Sequence, residues 1–538
     1  MKKVNRYKVF AGVCALALLG SCDYEDINTN PYEMTEEMGK MDGIAMGGPM
    51  VTLERYVIPV GTQADGTDII NQYQTSYHLA GDIWSGYFSE DNNWYSGNNH
   101  MTYYLQDEWV SSMYRNSYTE PFASWKKIKQ ESEKAGAPEV FALAQILKVS
   151  AWHKTLETFG PIPYTHAGEA ALVIPFDSEE EVYDAMFADL QSAVAELSSL
   201  AEQGGTVVAD FDAVYGGDAA KWVRYANSLM LRLAMRLKYV APDKAKQWAK
   251  TAVDGGVMTV RTDEAQMSTG AGYVFVNNIE WLAAQYGEAR MGTSMFAYLN
   301  GYEDPRLSKY FSPADAANSY ALEAFDGSKY APVPPGHVQG NNLFELFSLP
   351  NMTSSTPTYW MRASEVYFLL AEAALEWPEF GDAESLYKQG IQMSFEENGL
   401  TASEVDAYLA TGATPVAVSV RADGYSYGAS APTRATTEFT GSNEEKLEKI
   451  MIQKWIALYP NGQEAWTEFR RTGYPKLNPV QNNRGAAQGV TTEGGIRRMV
   501  YPLSFSQSEE DRANYEEAVQ KLKDKADTPA SKLWWDCR

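Results

Sequence analysis

Residues 362–375, RASEVYFLLAEAAL, contain the pattern that decides the fold. Apolar and small side chains recur there at the three- and four-residue intervals of one helix face. Gly381 and Asp382 then separate this segment from a second helical segment at about 383–396. A helix rich in small residues, a short turn and an antiparallel second helix predict a hairpin of the tetratricopeptide-repeat kind.

The same helical periodicity recurs outside this hairpin, at about 182–197, 222–237 and 447–458. Two long stretches between the periodic segments, about 258–358 and 411–443, are polar or rich in Gly, Pro and Asn. No change in composition requires a second domain. We therefore predict a mostly α fold in a single domain at 41–538. Tetratricopeptide-like helical hairpins would form its scaffold, and the two irregular stretches would be long loop insertions.

The N-terminal segment has the pattern of an export signal followed by a tether. The first eight residues include four Lys or Arg side chains, and the apolar run that follows at 9–19 is too short to span a bilayer. Small residues directly before Cys22 are similar to the bacterial lipobox, in which the cysteine becomes the lipidated first residue. We expect a lipoprotein signal peptide at 1–21 and a lipidated acidic tether at 22–40. The alternative is an ordinary secretory signal in which Cys22 is incidental.

The composition excludes several classes of partner. The 538 residues carry a formal net charge of −25, and such a surface repels nucleic acid and anionic lipid. The chain has three cysteines, of which one lies in the leader and one is the predicted lipid site, so no disulfide framework is expected. Since no later apolar run is long enough for a membrane helix, membrane contact is expected through the lipid on Cys22.

The sequence contains no recognisable catalytic or metal-binding motif. The five histidines show no metal-ligand spacing, and neither a nucleophile elbow nor a Walker loop occurs. We therefore predict no catalytic residue, no metal site and no cofactor. Glu365 and Glu372 lie on one helix face and would suit a carboxylate pair, but we expect them to brace neighbouring helices. Arg470 and Arg471 are likewise expected to be structural rather than to clamp a ligand carboxylate.

Aromatic residues are concentrated at 82–125, and the run DNNWYSGNN at 91–99 has the composition of a loop. Rings in such a run have no helical stripe to join. A ring face stacks on the C–H face of a sugar, and neighbouring amides bond its hydroxyls. We therefore predict ligand contact by these side chains: Asn92, Asn93, Trp94, Tyr95 and Asn98. For Trp94 and Tyr95 the alternatives are packing and contact with a partner protein.

The same chemistry predicts ligand contact at four further residues: Asn278, Trp281, Tyr286 and Trp360. For Trp281 the alternative is helix packing. For Trp360 the alternative is a packed helix start, which we favour. Three earlier aromatic residues have the spacing of a buried helix face and are predicted to lie in the core: Trp84, Tyr87 and Phe88.

Several phrases follow one another in a characteristic order across most of the chain. They are INTNP at 27–31, FGPIPY at 159–164, DPRL at 304–307, RASEVYFLLAEAAL at 362–375, QKWIALYPNGQEAWTEFRRTGYP at 453–475 and RRMVYP at 497–502. Together they resemble the SusD/RagB family of surface lipoproteins. The resemblance implies a tetratricopeptide-like helical protein that sits on a SusC-like TonB-dependent outer-membrane transporter and helps to capture nutrients.

These observations predict a lipid-anchored protein of the outer membrane and cell surface that binds oligosaccharides for glycan uptake and delivers them to a SusC-like TonB-dependent transporter. It is not expected to be an enzyme. Three alternatives remain. In the first, the ligand is a peptide, and the acidic surface would favour a cationic peptide. The protein is a glycoside hydrolase that uses two carboxylates. The protein is a structural lid with no ligand of its own.

Overall fold

The protein is built mainly from α-helices, as the periodicity predicts. Its computed structural model describes residues 44–268, 276–314, 329–340, 342–422, 424–507 and 509–538. Within these ranges, Met46–Arg538 form one compact unit. The predicted signal peptide, Cys22 and the acidic tether lie outside the described residues.

Eighteen α-helices occur in these ranges, and several successive pairs are joined by short turns. In chain order they are α1 Ile44–Val57, α2 Ile69–Tyr73, α3 Asp107–Tyr114, α4 Glu120–Ala135, α5 Pro138–Phe159, α6 Glu179–Glu202, α7 Ala219–Arg236, α8 Pro242–Asp254, α9 Asn278–Ala284, α10 Thr293–Gly301, α11 Leu307–Tyr310, α12 Ala363–Glu376, α13 Ala383–Glu397, α14 Ala402–Leu409, α15 Asn443–Leu458, α16 Gly462–Thr472, α17 Leu503–Gln507 and α18 Glu509–Lys521. A π-helical segment, Gln74–Asp82, continues α2. None of the described helices is both long and apolar enough to cross a membrane.

The hairpin expected from the opening stretch is formed by α12 and α13. Asp382 caps α13, because its Oδ2 accepts a hydrogen bond from the backbone N–H of Ser385 at 2.8 Å. A Cβ at Gly390 would lie 2.7 Å from Cε1 of Phe368, so the lack of a side chain lets α13 pack directly on a ring of α12. The prediction of tetratricopeptide-like helical hairpins is confirmed.

The described part also has six short strands, in three separate two-stranded antiparallel sheets. The pairs are β1 Phe88–Ser89 with β3 Arg290–Met291, β2 Ala265–Met267 with β4 Thr358–Met361, and β5 Val418–Ala422 with β6 Tyr425–Ala429. Several of these strands, together with α9, α10 and α11, lie in the stretches predicted to be irregular. These elements are too short to produce a clear periodicity, which is why composition alone described them as loops.

A buried ion network connects helices in the core. Its members are each at most 5% exposed: Glu157, Arg232, Arg236, Glu365, Glu372, Lys454, Glu464, Glu468 and Arg471. Arg236 of α7 bonds three of the carboxylates: its Nε is 2.9 Å from Glu157, its Nη2 is 2.7 Å from Glu464, and its Nη1 bonds Glu468. One guanidinium therefore ties α7 to α5 and α16, and the planar fork of Arg suits this role.

Glu365 and Glu372 brace neighbouring helices through this network, as expected. Arg232 Nε and Nη2 each lie 2.7 Å from a carboxylate oxygen of Glu365. Arg471 holds Glu372 in the same bidentate way, at 2.8 and 2.6 Å. Because both carboxylates are buried and paired with arginine, neither is placed to act as an acid, base or nucleophile on a substrate.

The predicted burial of Trp84, Tyr87 and Phe88 is confirmed, with exposures of 6%, 0% and 1%. The expectation that they share one helix face is wrong, because Phe88 lies in β1. Gly86 causes the change: its φ of 78° is in the left-handed region that favours glycine, and the chain leaves the helical segment there.

Candidate functional site

The exposed aromatic side chains of the protein are concentrated in one short segment. Among the described residues, the exposed aromatic rings are Trp94 at 37%, Tyr95 at 49% and Tyr104 at 44%. A large apolar ring left in water loses the free energy that burial provides. Three such rings within one stretch therefore mark a surface that is suited to contact another molecule.

The loop that carries Trp94 and Tyr95 is fixed by asparagine amides. Asn99 Nδ2 donates to the carbonyl of Trp94 at 2.8 Å, and Asn93 Nδ2 donates to the carbonyl of Val338 at 3.2 Å. Asn98 Oδ1 accepts a hydrogen bond from Arg484. The prediction assigned Asn92, Asn93 and Asn98 to ligand hydroxyls. In the structure each of these amides bonds to the protein itself and holds the loop, and contact with ligand hydroxyls stays a prediction.

The backbone of the loop adopts an unusual conformation. Tyr95 and Ser96 have φ values of 50° and 54°, and Gly97 follows with φ of 77°. A Cβ at Gly97 would lie 2.5 Å from Cγ1 of Val338, so only glycine fits there. Left-handed conformations at non-glycine residues cost about 1–3 kcal/mol each and cluster at functional sites. The surrounding contacts hold this strain, and they keep the two rings directed outward.

A buried tryptophan supports the exposed rings from below. Trp109 of α3 is 6% exposed and makes edge contacts with Trp94 and Tyr95, at centroid distances of 6.4 and 5.6 Å. The hydroxyl of Tyr95 donates to Glu108 Oε2 at 3.3 Å. Desolvation and the Glu108 carboxylate raise the pKa of Tyr95, so this hydroxyl remains protonated at neutral pH.

Two segments that were predicted as separate sites lie side by side in the structure. Asn92 Nδ2 donates to the backbone carbonyl of Tyr286 at 3.2 Å, and Trp94 Nε1 donates to Glu288 Oε1 at 3.1 Å. The hydroxyl of Tyr286 donates to Asn71 Oδ1 at 2.9 Å. The rings at 94–95 and the segment at 286–288 therefore form one continuous region of the protein.

Burial corrects the predicted ligand contact of Asn278, and at Trp360 it agrees with the packing alternative that we favoured, although that residue lies in a strand. Asn278 is 3% exposed, and its amide bonds the carbonyl of Pro59 at 2.6 Å and the N–H of Gly61 at 3.0 Å, so it braces the chain after α1. Trp360 is 1% exposed in β4 and packs against Trp222 at 6.3 Å. Neither side chain offers a surface to a ligand.

Trp281 was predicted to contact ligand, with helix packing as the alternative. It lies in α9, is half-buried and packs against the hydrophobic core, which agrees with the packing alternative. Its Nε1 is buried, so only part of the ring is accessible.

The prediction missed Tyr104 and Glu288. Tyr104 belongs to the aromatic-rich segment, and its N–H donates to the carbonyl of Asn99 at 3.0 Å, which joins it to the loop. The aromatic density was the available signal for it. Glu288 gave no local signal, because its role depends on contacts with residues far away in the sequence.

Glu288 also belongs to a buried group of residues with metal-ligand chemistry, which we call the His78 cluster: His78, Glu90 and Glu288. One ligand atom of each residue lies within 4.8 Å of the other two. A second group, His153, Glu157 and Glu464, has the same geometry within the ion network.

Comparisons with known proteins identify the family. The family model described as SusD-like, Susd and RagB outer membrane lipoprotein, matches residues 26–536. No curated protein sequence matches the chain. Among solved structures, a chitin-binding SusD homolog from Flavobacterium johnsoniae is 33% identical with a TM-score of 0.83, over 92% of this chain and 99% of that chain.

Two further solved structures support the same assignment. A SusD homolog from Bacteroides vulgatus is 32% identical with a TM-score of 0.83, over 92% of this chain and 99% of that chain. A SusD homolog from Bacteroides ovatus is 32% identical with a TM-score of 0.83, over 92% of this chain and 100% of that chain. The chain therefore belongs to the SusD/RagB family of outer-membrane lipoproteins.

Proposed function

We propose that this protein is a cell-surface glycan-binding lipoprotein and that Trp94, Tyr95 and Tyr104 form its binding platform. The observation that carries the proposal is the concentration of the exposed aromatic rings in one strained, amide-braced segment. Ring faces of this kind stack on the apolar faces of pyranose sugars. Binding needs no covalent step, so no catalytic residue is required.

The similarity to a chitin-binding SusD homolog supports this choice of ligand. That relative is matched over nearly all of its own length, so the two chains share the complete scaffold. A β-linked N-acetylglucosamine oligomer is therefore the first ligand to test, within a wider panel of glycans.

The protein would act next to a transporter. Lipid on Cys22 would hold it at the outer membrane, and the acidic tether at 22–40 would give it freedom to move. It would capture an oligosaccharide and release it to a SusC-like TonB-dependent transporter. Release requires modest affinity, which a platform of a few rings provides.

The central experiment is the loss of ring faces. In affinity electrophoresis with immobilised glycans, Trp94→Ala should reduce retention by about tenfold, which corresponds to ~1.4 kcal/mol. Tyr95→Ala and Tyr104→Ala should have smaller effects, because a phenol ring offers less surface than an indole ring. Leu503→Ala is the matched control: Leu503 is 49% exposed, as is Tyr95, but it lies outside the platform.

The outcomes separate the alternatives. If Trp94→Ala retains every glycan that the wild type binds, the platform is not the binding site. Retention of cationic peptides and of no glycan would favour the peptide-binding alternative. Release of shortened glycan products would identify a glycoside hydrolase. Co-purification with a transporter, with no glycan or peptide retained, would identify a structural lid.

A further inference from the structure

The His78 cluster is assembled from three separate parts of the chain. His78 lies in the π-helical segment, Glu90 follows β1, and Glu288 precedes β3. The imidazole Nε2 is 2.7 Å from Glu90 Oε1, and all three side chains are at most 1% exposed. π-Helical turns are rare and often occur at functional sites.

The backbone at Ala289 allows the two carboxylates to meet. Ser89 is opposite Arg290 in the antiparallel register, so continued alternation would place Glu90 and Glu288 on opposite faces of the ribbon. Ala289 instead has φ of 51°, which ends the extended strand. The backbone therefore adopts a costly left-handed conformation at Ala289, and this conformation brings Glu288 to the side of Glu90 and His78.

Among the described residues, no Lys or Arg forms an ion pair with Glu90 or Glu288, and the counter-charge of the cluster is the imidazole of His78. The ion pair formed by Glu90 is with His78, and Arg290 of β3 donates to the backbone carbonyls of Glu288 and Glu345. Glu90 Oε2 is buried without a hydrogen-bond partner. A buried carboxylate oxygen without a partner is costly, and a bound metal ion would satisfy it.

The residues around the cluster hydrogen-bond its side chains in the way that supporting residues usually orient the ligands of a bound metal ion. Asp82 Oδ2 lies 3.5 Å from His78 Nδ1, on the side of the ring opposite to Glu90. Asp82 is held in turn by the hydroxyl of Tyr73 at 2.8 Å. Gln74 Nε2 donates to both oxygens of Glu288, at 2.8 and 2.9 Å. A carboxylate that orients a ligating histidine, and amides that orient a ligating carboxylate, are the usual supports of bound metal ions.

The second group of similar geometry lacks this need for a cation. Glu157 and Glu464 are already bonded by Arg236, at 2.9 and 2.7 Å. His153 Nδ1 lies 2.8 Å from the carbonyl of Val149 in its own helix. Arginine supplies the positive charge there and cannot give up its proton to a metal, whereas the imidazole of His78 can. Of these two groups, only the His78 cluster therefore has both the donor atoms and a positive charge that a metal ion can replace.

We propose that the His78 cluster binds one divalent transition-metal ion, with Zn²⁺ as the ion that its donor set favours. One imidazole nitrogen and two carboxylates suit Zn²⁺, whereas Ca²⁺ and Mg²⁺ prefer oxygen ligands alone. Zinc ligands at about 2 Å in a tetrahedral arrangement lie roughly 3.3 Å apart. Small side-chain rotations would bring the three donor atoms to that spacing from their present limit of 4.8 Å. Sequence spacing did not predict this site, because its ligands come from distant segments.

The ion would stabilise the binding platform from below. It would join the π-helical segment to the chain after β1 and before β3. Glu288 also accepts the hydrogen bond of Trp94 Nε1 at 3.1 Å. Metal binding would therefore fix Glu288, which orients Trp94. The metal site itself does not depend on which ligand the rings bind.

The first test uses the wild-type protein alone. After treatment with EDTA and removal of the chelator, it should bind one equivalent of Zn²⁺ in isothermal titration calorimetry. Co²⁺ should bind in its place and give the visible absorption of a tetrahedral site. Failure of the stripped wild type to bind either ion would overturn the proposal, as would a preference for Ca²⁺ or Mg²⁺.

Variants then locate the site. Glu90→Gln and Glu288→Gln should each weaken Zn²⁺ binding by at least about 100-fold, and Asp82→Asn by about 10- to 100-fold. Glu179→Gln is the matched control, because Glu179 is a buried carboxylate outside the cluster, and it should bind Zn²⁺ as the wild type does. Zinc binding that persists in both ligand variants would place the metal elsewhere and refute the proposal.

Discussion

The ion network and the His78 cluster both bury several carboxylates, but they compensate the charge in different ways. In the network, arginine or lysine side chains lie against each carboxylate. Glu468, for example, has three such partners, which are Arg471, Lys454 and Arg236. In the His78 cluster, the groups that bond Glu288 are neutral amides and an indole, and the positive charge comes from the imidazole of His78 beside Glu90. A buried pair with fixed counter-charges braces the fold, whereas a buried pair with neutral donors retains the capacity to bind a cation.

The pKa values of the two groups follow the same division. Burial alone would raise the pKa of Glu468, but Arg471, Lys454 and Arg236 hold it well below its ordinary value. Burial and the charge of Glu90 raise the pKa of Glu288 to about 8. The same amount of burial therefore has opposite consequences, and the neighbouring charges decide which one occurs.

Removal of an arginine from the network should have the largest effect. Arg236→Met would leave Glu157, Glu464 and Glu468 without their shared partner. Breaking a buried ion pair from one side costs about 3–5 kcal/mol, so we expect a loss of this size in urea or thermal unfolding. Lys250→Met, which removes an exposed pair with Asp254, is the control and should change stability by less than about 1 kcal/mol. Equal stability of the Arg236→Met variant and the wild type would contradict a bracing role.

A fixed positive charge introduced into the His78 cluster, like those of the ion network, should have the next largest effect. Gln74→Lys would place an ammonium group where a neutral amide now bonds both oxygens of Glu288. We expect the variant to remain folded and to lose Zn²⁺ affinity by about 100-fold, measured by calorimetry, since the fixed cation competes with the metal. Gln392→Lys makes the same exchange beside Glu396 on the surface and should leave zinc binding unchanged. Unaltered zinc affinity in Gln74→Lys would show that charge compensation does not distinguish the two groups.

Glu179 should give a smaller effect, visible as a change in pH dependence. It is 2% exposed, its Oε1 accepts a hydrogen bond from the N–H of Trp534 at 2.9 Å, and burial raises its pKa to about 8 from the ordinary value of 4.5. Because the folded pKa is the higher one, its protonation stabilises the fold fully below pH 4.5, and this contribution is lost as the pH rises through 8. Each unit of pKa difference corresponds to about 1.4 kcal/mol.

Glu179→Gln should therefore flatten the stability profile between pH 5 and 8, measured by urea unfolding at several pH values. Glu468→Gln is the contrasting variant, because the lowered pKa of Glu468 makes its contribution present above the ordinary value and lost in acid. A wild-type profile in which stability rises from pH 5 to 8 by as much as it does in Glu179→Gln would refute this account of Glu179.

The sequence was sufficient to predict the scaffold, because helical periodicity is a local property. The stripes at 182–197 and 362–375 became α6 and α12. The exposed rings of Trp94 and Tyr95 were also predictable, since a polar, glycine-containing run offers no helical face to bury them. Asn278 was misassigned because local composition does not reveal burial by distant elements, whereas packing was the favoured prediction for Trp360. The junction of segments 92–98 and 286–288, and the His78 cluster beneath it, depend on long-range pairing that spacing along the chain does not encode.

The hydrogen bond from Trp94 Nε1 to Glu288 has a consequence for the sugar selectivity of the proposed platform. With its one polar atom directed inward, the indole presents to the outside only hydrocarbon edges and a π face. In the proposed function, such a surface would accept many pyranoses and would discriminate poorly between epimers, which differ in the orientation of a hydroxyl. Selectivity between sugars must then come from side chains around the platform. A change of those neighbours would then change the preferred sugar, while the ring of Trp94 would continue to bind the apolar face that pyranoses share.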